Sequence, residues 1–267
     1  MSGHTVSTMD NKDRPHFEQL LKLLDALDGW LARIDPNAAD DHVEPGSALA
    51  GDDSRTDPYQ TSQAVWHALS HAVDPLNCLR AVLRDAQAIH MYAPYALVRA
   101  TVENACAAVW LLHPANRKDR ILRRLRFAAA DIINGEEAKK LIGTSGPRSL
   151  HDRLGQVRKI AERAGVDPES AATKVGYGRI VSAASEAISP SSTAVPFVWR
   201  ACSGITHGDF WTTISMAERV ELPGALPDVG RFRITANVQN LMYSTFFAVE
   251  MTAHGWRLFD ERRRAPY

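Results

Sequence analysis

From Thr61 towards the C-terminus, apolar residues return every three or four positions, and no segment alternates apolar and polar side chains over the length of a strand. That beat is the signature of helices that bury one face each, and it leaves almost no room for a sheet. Successive stretches read as helices: Gln63 to Val73, Pro75 to Met91 after a break at Asp74-Pro75, Pro94 to about Leu112, 117–142, and Leu150 to Ala164. Asp167-Pro168-Glu169 is a capped start for a shorter helix. Phe197 to Met216 follows a Ser/Pro loop at Ser189 to Pro196, with Gly208 as a point of interruption. A last long helix begins near Arg233, and residues 230–236 are the one weak strand candidate. Short turns at His113-Pro114 and around Gly143 and Gly165 separate these segments, so neighbouring helices should pack as a bundle. The fold class expected is therefore all-α, a helical bundle.

The first sixty residues are organised differently. Residues 1–15 are polar and read as disordered, and leucines at 20, 21, 24, 27 and 31 make Phe17 to Ile34 a helix that Asp35-Pro36 stops. Residues 36–60 are rich in Asp, Pro, Gly and Ser without periodicity, which reads as an acidic flexible loop. The expected division is 1–60, an N-terminal helix with a disordered acidic arm, and 61–267, the bundle domain.

Charge and composition exclude several classes. Thirty-one basic residues balance thirty-one acidic ones, so any polyanion must be met by a local patch rather than by the whole surface. The three cysteines are unpaired by spacing, which excludes a disulfide framework and fits a reducing, cytoplasmic compartment. Met1 to Arg14 has no apolar core of the kind a secretory leader needs, and the longest apolar run, Ala105 to Leu112, is too short to span a bilayer. No membrane association is expected.

Two helical segments carry polar groups through apolar surroundings. In Tyr95 to Leu112 the strongly polar residues past the first turn are Arg99, Glu103 and Asn104. Unpaired charge in such a segment costs several kcal/mol, so Arg99 and Glu103 need partners, either each other or polar groups on another helix. In Val198 to Asp209, Arg200, Ser203 and His207 stand at offsets of three and four, which return to nearly one face of a continuous helix. A permanent cation, a hydroxyl and an imidazole then share one side. Either these five residues form a site, or they form a structural network that fixes helix register.

The Arg200-x6-His207 spacing, in an all-helical context with Arg-Ala-Thr-Val-Glu103 on an earlier helix, resembles the HEPN superfamily and uncharacterised helical bacterial proteins similar to it. The resemblance covers roughly residues 60–260 as helical order and a handful of residues as motif. It implies a dimeric bundle and, in many members, a metal-independent endoribonuclease of a toxin or phage-defence system. By that resemblance His207 acts as general base or acid at the ribose 2′-hydroxyl or the leaving 5′-oxygen, and Arg200 holds the phosphate. Ser203, Glu103 and Arg99 complete the expected site, and no cofactor or metal is called for. The expected partners are RNA, a second copy of the chain, and an antitoxin or other protein. Three departures stand beside it: the spacer is the longest the pattern allows, Ala201 occupies a position that active members usually fill with a polar residue, and the chain is longer than a minimal domain of that superfamily. The alternative is therefore a non-catalytic interaction module.

Between Arg117 and Arg126 six of ten residues are cationic, with Ile121, Leu122 and Leu125 as an apolar seam. As an amphipathic helix this segment offers Arg117, Lys118, Arg120, Arg123 and Arg124 to RNA phosphates, or pairs with the acidic 36–57 segment of its own chain. His67 and His71 have metal-compatible helical spacing but no neighbouring third ligand in sequence. Cys202 lies five residues from His207, on a different face, and reads as a core thiol; Trp110, Trp199 and Trp211 read as core fillers near the polar site. Gly176-Tyr177-Gly178 reads as a turn.

Overall fold

A computed structural model describes residues 4–6, 9–37, 40–224 and 230–266. It is an all-α helical bundle. In chain order the elements are β1 (His4–Thr5), α1 (Arg14–Leu24), α2 (Leu27–Ile34), α3 (Ala48–Thr56), α4 (Thr61–Arg84), β2 (Ala88–Ile89), α5 (Ala93–Leu112), α6 (Arg117–Leu141), α7 (Leu150–Ala164), α8 (Pro168–Ala171), α9 (Tyr177–Ile188), α10 (Ala194–His207), α11 (Phe210–Met216), β3 (Glu218–Glu221), β4 (Phe232–Thr235) and α12 (Val238–Arg263). The strands form two short antiparallel ribbons, β1 with β2 and β3 with β4, the latter in the register Glu218 to Thr235 and Glu221 to Phe232. Among the described residues no helix is long and apolar enough to cross a membrane.

The chain divides into two compact units whose boundaries fall inside α4, α5 and α12. Unit 1 comprises 1–39, 70–104 and 193–252. Its core includes Leu20, Leu24, Leu76, Leu79, Val98 and Val102, all fully buried. Arg80 and Arg84 on α4 pair with Asp28 and Asp25 at 2.5 and 2.7 Å, and Thr101 on α5 donates to the carbonyl of Ala72 on α4 at 3.2 Å. Unit 2 comprises 40–69, 105–192 and 253–267. Its core joins Ile121, Leu125 and Ile132 of α6 to Val157, Ile160 and Ala161 of α7 and Ala171 of α8. A second cluster stacks Trp66 edge-on to Trp256, centroids 5.5 Å apart, with Phe259 beside both. Gly255 lets α12 approach closely there, since a Cβ would stand 2.7 Å from Leu69 Cδ2.

Several sequence expectations are corrected. The acidic 36–60 segment is not a loop throughout: Ser47 caps α3 by accepting from Ala50 N at 3.1 Å, and Leu49, Asp52 and Thr56 are buried. A helix that buries a carboxylate has no apolar period to read, which is why composition suggested a loop. No break occurs at Asp74-Pro75. Pro75 lies inside α4 between fully buried Val73 and Leu76, and burial on both sides outweighs the roughly 3 kcal/mol that an interior proline costs. The helix stops at Arg84 instead of Met91, where the chain turns into β2 through Gln87 at φ 48°. Phe17 to Ile34 is two helices, α1 and α2, joined at Asp25-Ala26. Gly176 is not in a free turn but caps the start of α9, and α10 begins at Ala194, with Pro196 in its first turn. The 230–236 strand exists as β4, and its partner at 218–221 had no alternation to reveal it.

Candidate functional site

The helix α10 runs without interruption from Ala194 to His207 and ends at Gly208, whose φ of 77° is a left-handed conformation that glycine adopts without strain. Asp209 N then bonds back to Gly204 O at 2.8 Å, and α11 begins at once. Gly204 is what permits this tight reversal: a Cβ there would lie 2.5 Å from Thr212 Cγ2 and 3.1 Å from Asp209 Oδ2. Continuity of the helix delivers the phase that the spacing predicts. Arg200 and His207 lie on one exposed face, with half-buried Ser203 beside them.

The opposite face of α10 is inward. Cys202 is fully buried, and burial pushes its thiol up to about 12 despite a hydrogen bond with Ser244. It is a core thiol, as the phase with His207 suggested. One residue from Arg200, Trp199 donates its indole N–H to Glu103 Oε1 at 2.8 Å. The same oxygen accepts from Arg99 Nε at 3.0 Å. Arg99 and Glu103 therefore find each other, one helical turn apart on α5, and Trp199 ties the pair to α10. Among the described residues no hydrogen bond or ion pair joins Arg99 or Glu103 to Arg200, Ser203 or His207. The five residues expected as one site thus fall into two groups. One is a half-buried Arg99–Glu103–Trp199 network, and the other is a solvent-facing Arg200/Ser203/His207 stripe. Arg200 also lies over its neighbour Trp199, 6.0 Å from the ring centroid.

Around the stripe the surface is aromatic. Phe197, one turn before Arg200, is 54% exposed, and Phe210 and Trp211 in the first turn of α11 are 75% and 49% exposed. Trp211 is thus not a core filler; α11 starts a new phase after Gly208, and that phase turns it outward. No protein-family model, curated protein or solved structure matches the chain.

The basic segment on α6 is placed differently from an open cationic face. Arg120 is only 2% exposed and grips Asp52 of α3 with two bonds, Nε to Oδ2 at 2.6 Å and Nη2 to Oδ1 at 2.9 Å. Its Nη1 donates to the carbonyls of Pro114 and Ala115, both at 2.9 Å. Arg117 reaches the same Asp52 at 3.4 Å. Arg124 donates to Gln60 O at 3.1 Å and lies over Tyr59, with burial lowering its pKa to about 10. Arg123 donates to Trp110 O at 2.7 Å. Lys118 is exposed. Pairing with the acidic segment of the same chain is therefore realised at Arg117 and Arg120. Arg120 and Arg124, which the amphipathic reading offered to RNA, point into the fold because both lie close to the Ile121/Leu125 seam. Among the described residues no group of three His, Cys, Asp or Glu is placed to hold a metal, and His67 and His71 belong to no such cluster.

Sequence reasoning did not find Asp52 as an individual partner, Trp199 as the ligand of Glu103, or Arg126 and Arg179, which line a cleft with Arg123. Arg126 carried a signal, standing one helical turn after Arg123. Arg179 is fifty-three positions further on, and nothing local announces it.

Proposed function

We propose that the chain is an HEPN-like, metal-independent endoribonuclease of a toxin or defence system, acting through Arg200 and His207 on the exposed face of α10. The observation that carries this reading is the pair itself: a guanidinium and an imidazole, two turns apart on one uninterrupted helix, both facing solvent, neither tied by a side-chain hydrogen bond to a partner among the described residues. Arg200 would neutralise a non-bridging phosphate oxygen. His207 would take the proton of the ribose 2′-hydroxyl as that oxygen attacks phosphorus and the 5′-oxygen leaves, giving a cyclic phosphate. One imidazole cannot both receive the first proton and already hold the one that the leaving oxygen needs. A second copy of the chain, docked through Phe197, Phe210 and Trp211, would bring a second His207 to the other side of the phosphate.

Wild type should cleave a mixed pool of single-stranded and structured RNAs in EDTA, and Arg200→Ala should not. Expression of wild type should slow growth of the host, and the variant should relieve it. Cleavage equal in both proteins would refute the assignment.

A second reading is supported by the Arg99–Glu103–Trp199 network, which uses two of the expected site residues as a structural tie. In that reading the aromatic rim of α10 and α11 binds a protein partner without catalysis. It predicts no cleavage by wild type, and loss of partner binding on Phe210→Ser.

A further inference from the structure

Unit 2 contains a cleft of about 290 Å³ at which three arginines converge: Arg123 and Arg126 from α6 and Arg179 from the first turn of α9. Trp110, Leu122, Val175 and Ala183 supply its apolar lining, and Asp119 is the single carboxylate. Three guanidiniums against one carboxylate leave two positive charges in excess. Arg120 in the same unit is matched by the Asp52 carboxylate, whereas Arg123 in the cleft has one backbone carbonyl, that of Trp110. Arg126 has no ion pair among the described residues, and its Nε is shut off from water with no hydrogen-bond partner. Burial lowers the pKa of Arg126, and the neighbouring Arg179 lowers it further, so the charged form is held at a cost. Arg123 is also lowered by burial, with Asp119 acting against it.

The cluster is oriented as well as charged. Arg123 donates one Nη1 bond to Trp110 O at 2.7 Å, and its guanidinium lies 5.4 Å from the Trp110 ring centroid. Those contacts fix the plane of the fork while leaving further N–H groups to donate. Gly176, the residue before α9, offers no side-chain cap to the first turn of the helix that carries Arg179. A helix start without a side-chain cap leaves partial positive charge on the same side as Val175 and Arg179.

We propose that this cleft binds a phosphomonoester group carried on a small molecule. A phosphomonoester carries close to two negative charges at neutral pH, as many as the cleft holds in excess, and has three terminal oxygens for planar guanidinium forks. The cleft lies at the small end of ligand sites, which span roughly 300–1,000 Å³, and fits a phosphorylated metabolite rather than a polymer. This site lies in unit 2, whereas α10 lies in unit 1, and it stands or falls independently of the ribonuclease reading.

Calorimetry on the full chain at constant ionic strength tests it, with inorganic phosphate as the probe and dimethyl phosphate as the singly charged diester control. Inorganic phosphate should bind saturably at one site per chain, and tighter as rising pH converts the singly charged ion into the doubly charged one. Arg179→Ala and Arg126→Met should each weaken it by about tenfold or more, the loss of one charge-assisted contact. Arg179 is exposed and has no hydrogen-bonded or ionic partner among the described residues, so its variant keeps the test valid even where Arg126→Met fails to fold. The absence of saturable heat, or unchanged affinity in Arg179→Ala, would overturn the proposal. So would dimethyl phosphate binding as tightly as phosphate, or displacement of phosphate by an RNA oligonucleotide without terminal phosphates, since either makes the site a reader of diesters.

Discussion

Asp52→Ala should strongly destabilise unit 2. The Asp52 side chain is 1% exposed and receives two bonds from Arg120, whose side chain is 3% exposed, at 2.6 and 2.9 Å. Removing it leaves a guanidinium that cannot lose its proton and cannot reach water. Breaking one side of a buried pair costs about 3–5 kcal/mol, while replacing both partners by apolar residues of similar size is often neutral. The two carbonyl acceptors on Arg120 Nη1 remain, which holds the expected cost near the lower end of that range. With about 2–4 °C of melting temperature per kcal/mol in a chain of this size, a shift on the order of 6–12 °C follows. Hydrogen exchange should place the loss first in the amides of α3 and α6. Asp52→Leu combined with Arg120→Met should recover most of the stability. A single Asp52→Ala within about 1 kcal/mol of wild type, or a double variant worse than the single one, would show that burial of this pair is not what docks α3 on α6.

Other outcomes follow from the same packing. Gly204→Ala should destabilise the chain by about 1–3 kcal/mol in urea denaturation, because the new methyl meets Thr212 Cγ2 at 2.5 Å and forces α11 away from α10. Glu103→Ala strands both Arg99 and the Trp199 indole, with an expected loss of about 1–3 kcal/mol in the same assay, whereas Arg200→Ala and His207→Ala should each stay within about 0.5 kcal/mol of wild type. Iodoacetamide should modify exposed Cys78 in the folded protein and spare Cys106 and Cys202 until it is unfolded, as counted by mass spectrometry. Burial holds the Cys202 thiol at about 12, above its unfolded value, so its contribution is complete at neutral pH and fades as pH rises above roughly 8.5, where the unfolded thiol ionises. Cys202→Ser should depart from that trend in the alkaline limb of a stability–pH curve.

The elements with a strong apolar beat were legible from the sequence. Helices α5, α6 and α7 occupy nearly the residues their spacing predicts, and the closing glycine at 165 is in the left-handed conformation that the reading requires. What escaped was tertiary. Proline at 75 is a helix breaker by local chemistry and is overridden by burial on either side. The acidic 36–60 segment has a polar composition because its helix buries Asp52, and the partner that makes this tolerable, Arg120, is sixty-eight residues away. Within the candidate site, the phase of Arg200, Ser203 and His207 could be read from their spacing because α10 is continuous. That Glu103 faces Trp199, one position before Arg200, depends on how α10 is rotated against α5, and no single-helix pattern encodes it. The same limit hid Arg179, whose neighbours on α6 are fixed by the packing of unit 2.

The most direct test of the ribonuclease reading is the chemistry of the product ends. Purified wild type and His207→Ala, matched for helical content, would each meet the same RNA in EDTA, and the fragments would be analysed for their termini. Wild type alone should give cyclic phosphate and 5′-hydroxyl ends. Intact RNA with folded wild type, or the same ends at the same rate from His207→Ala, would contradict that reading.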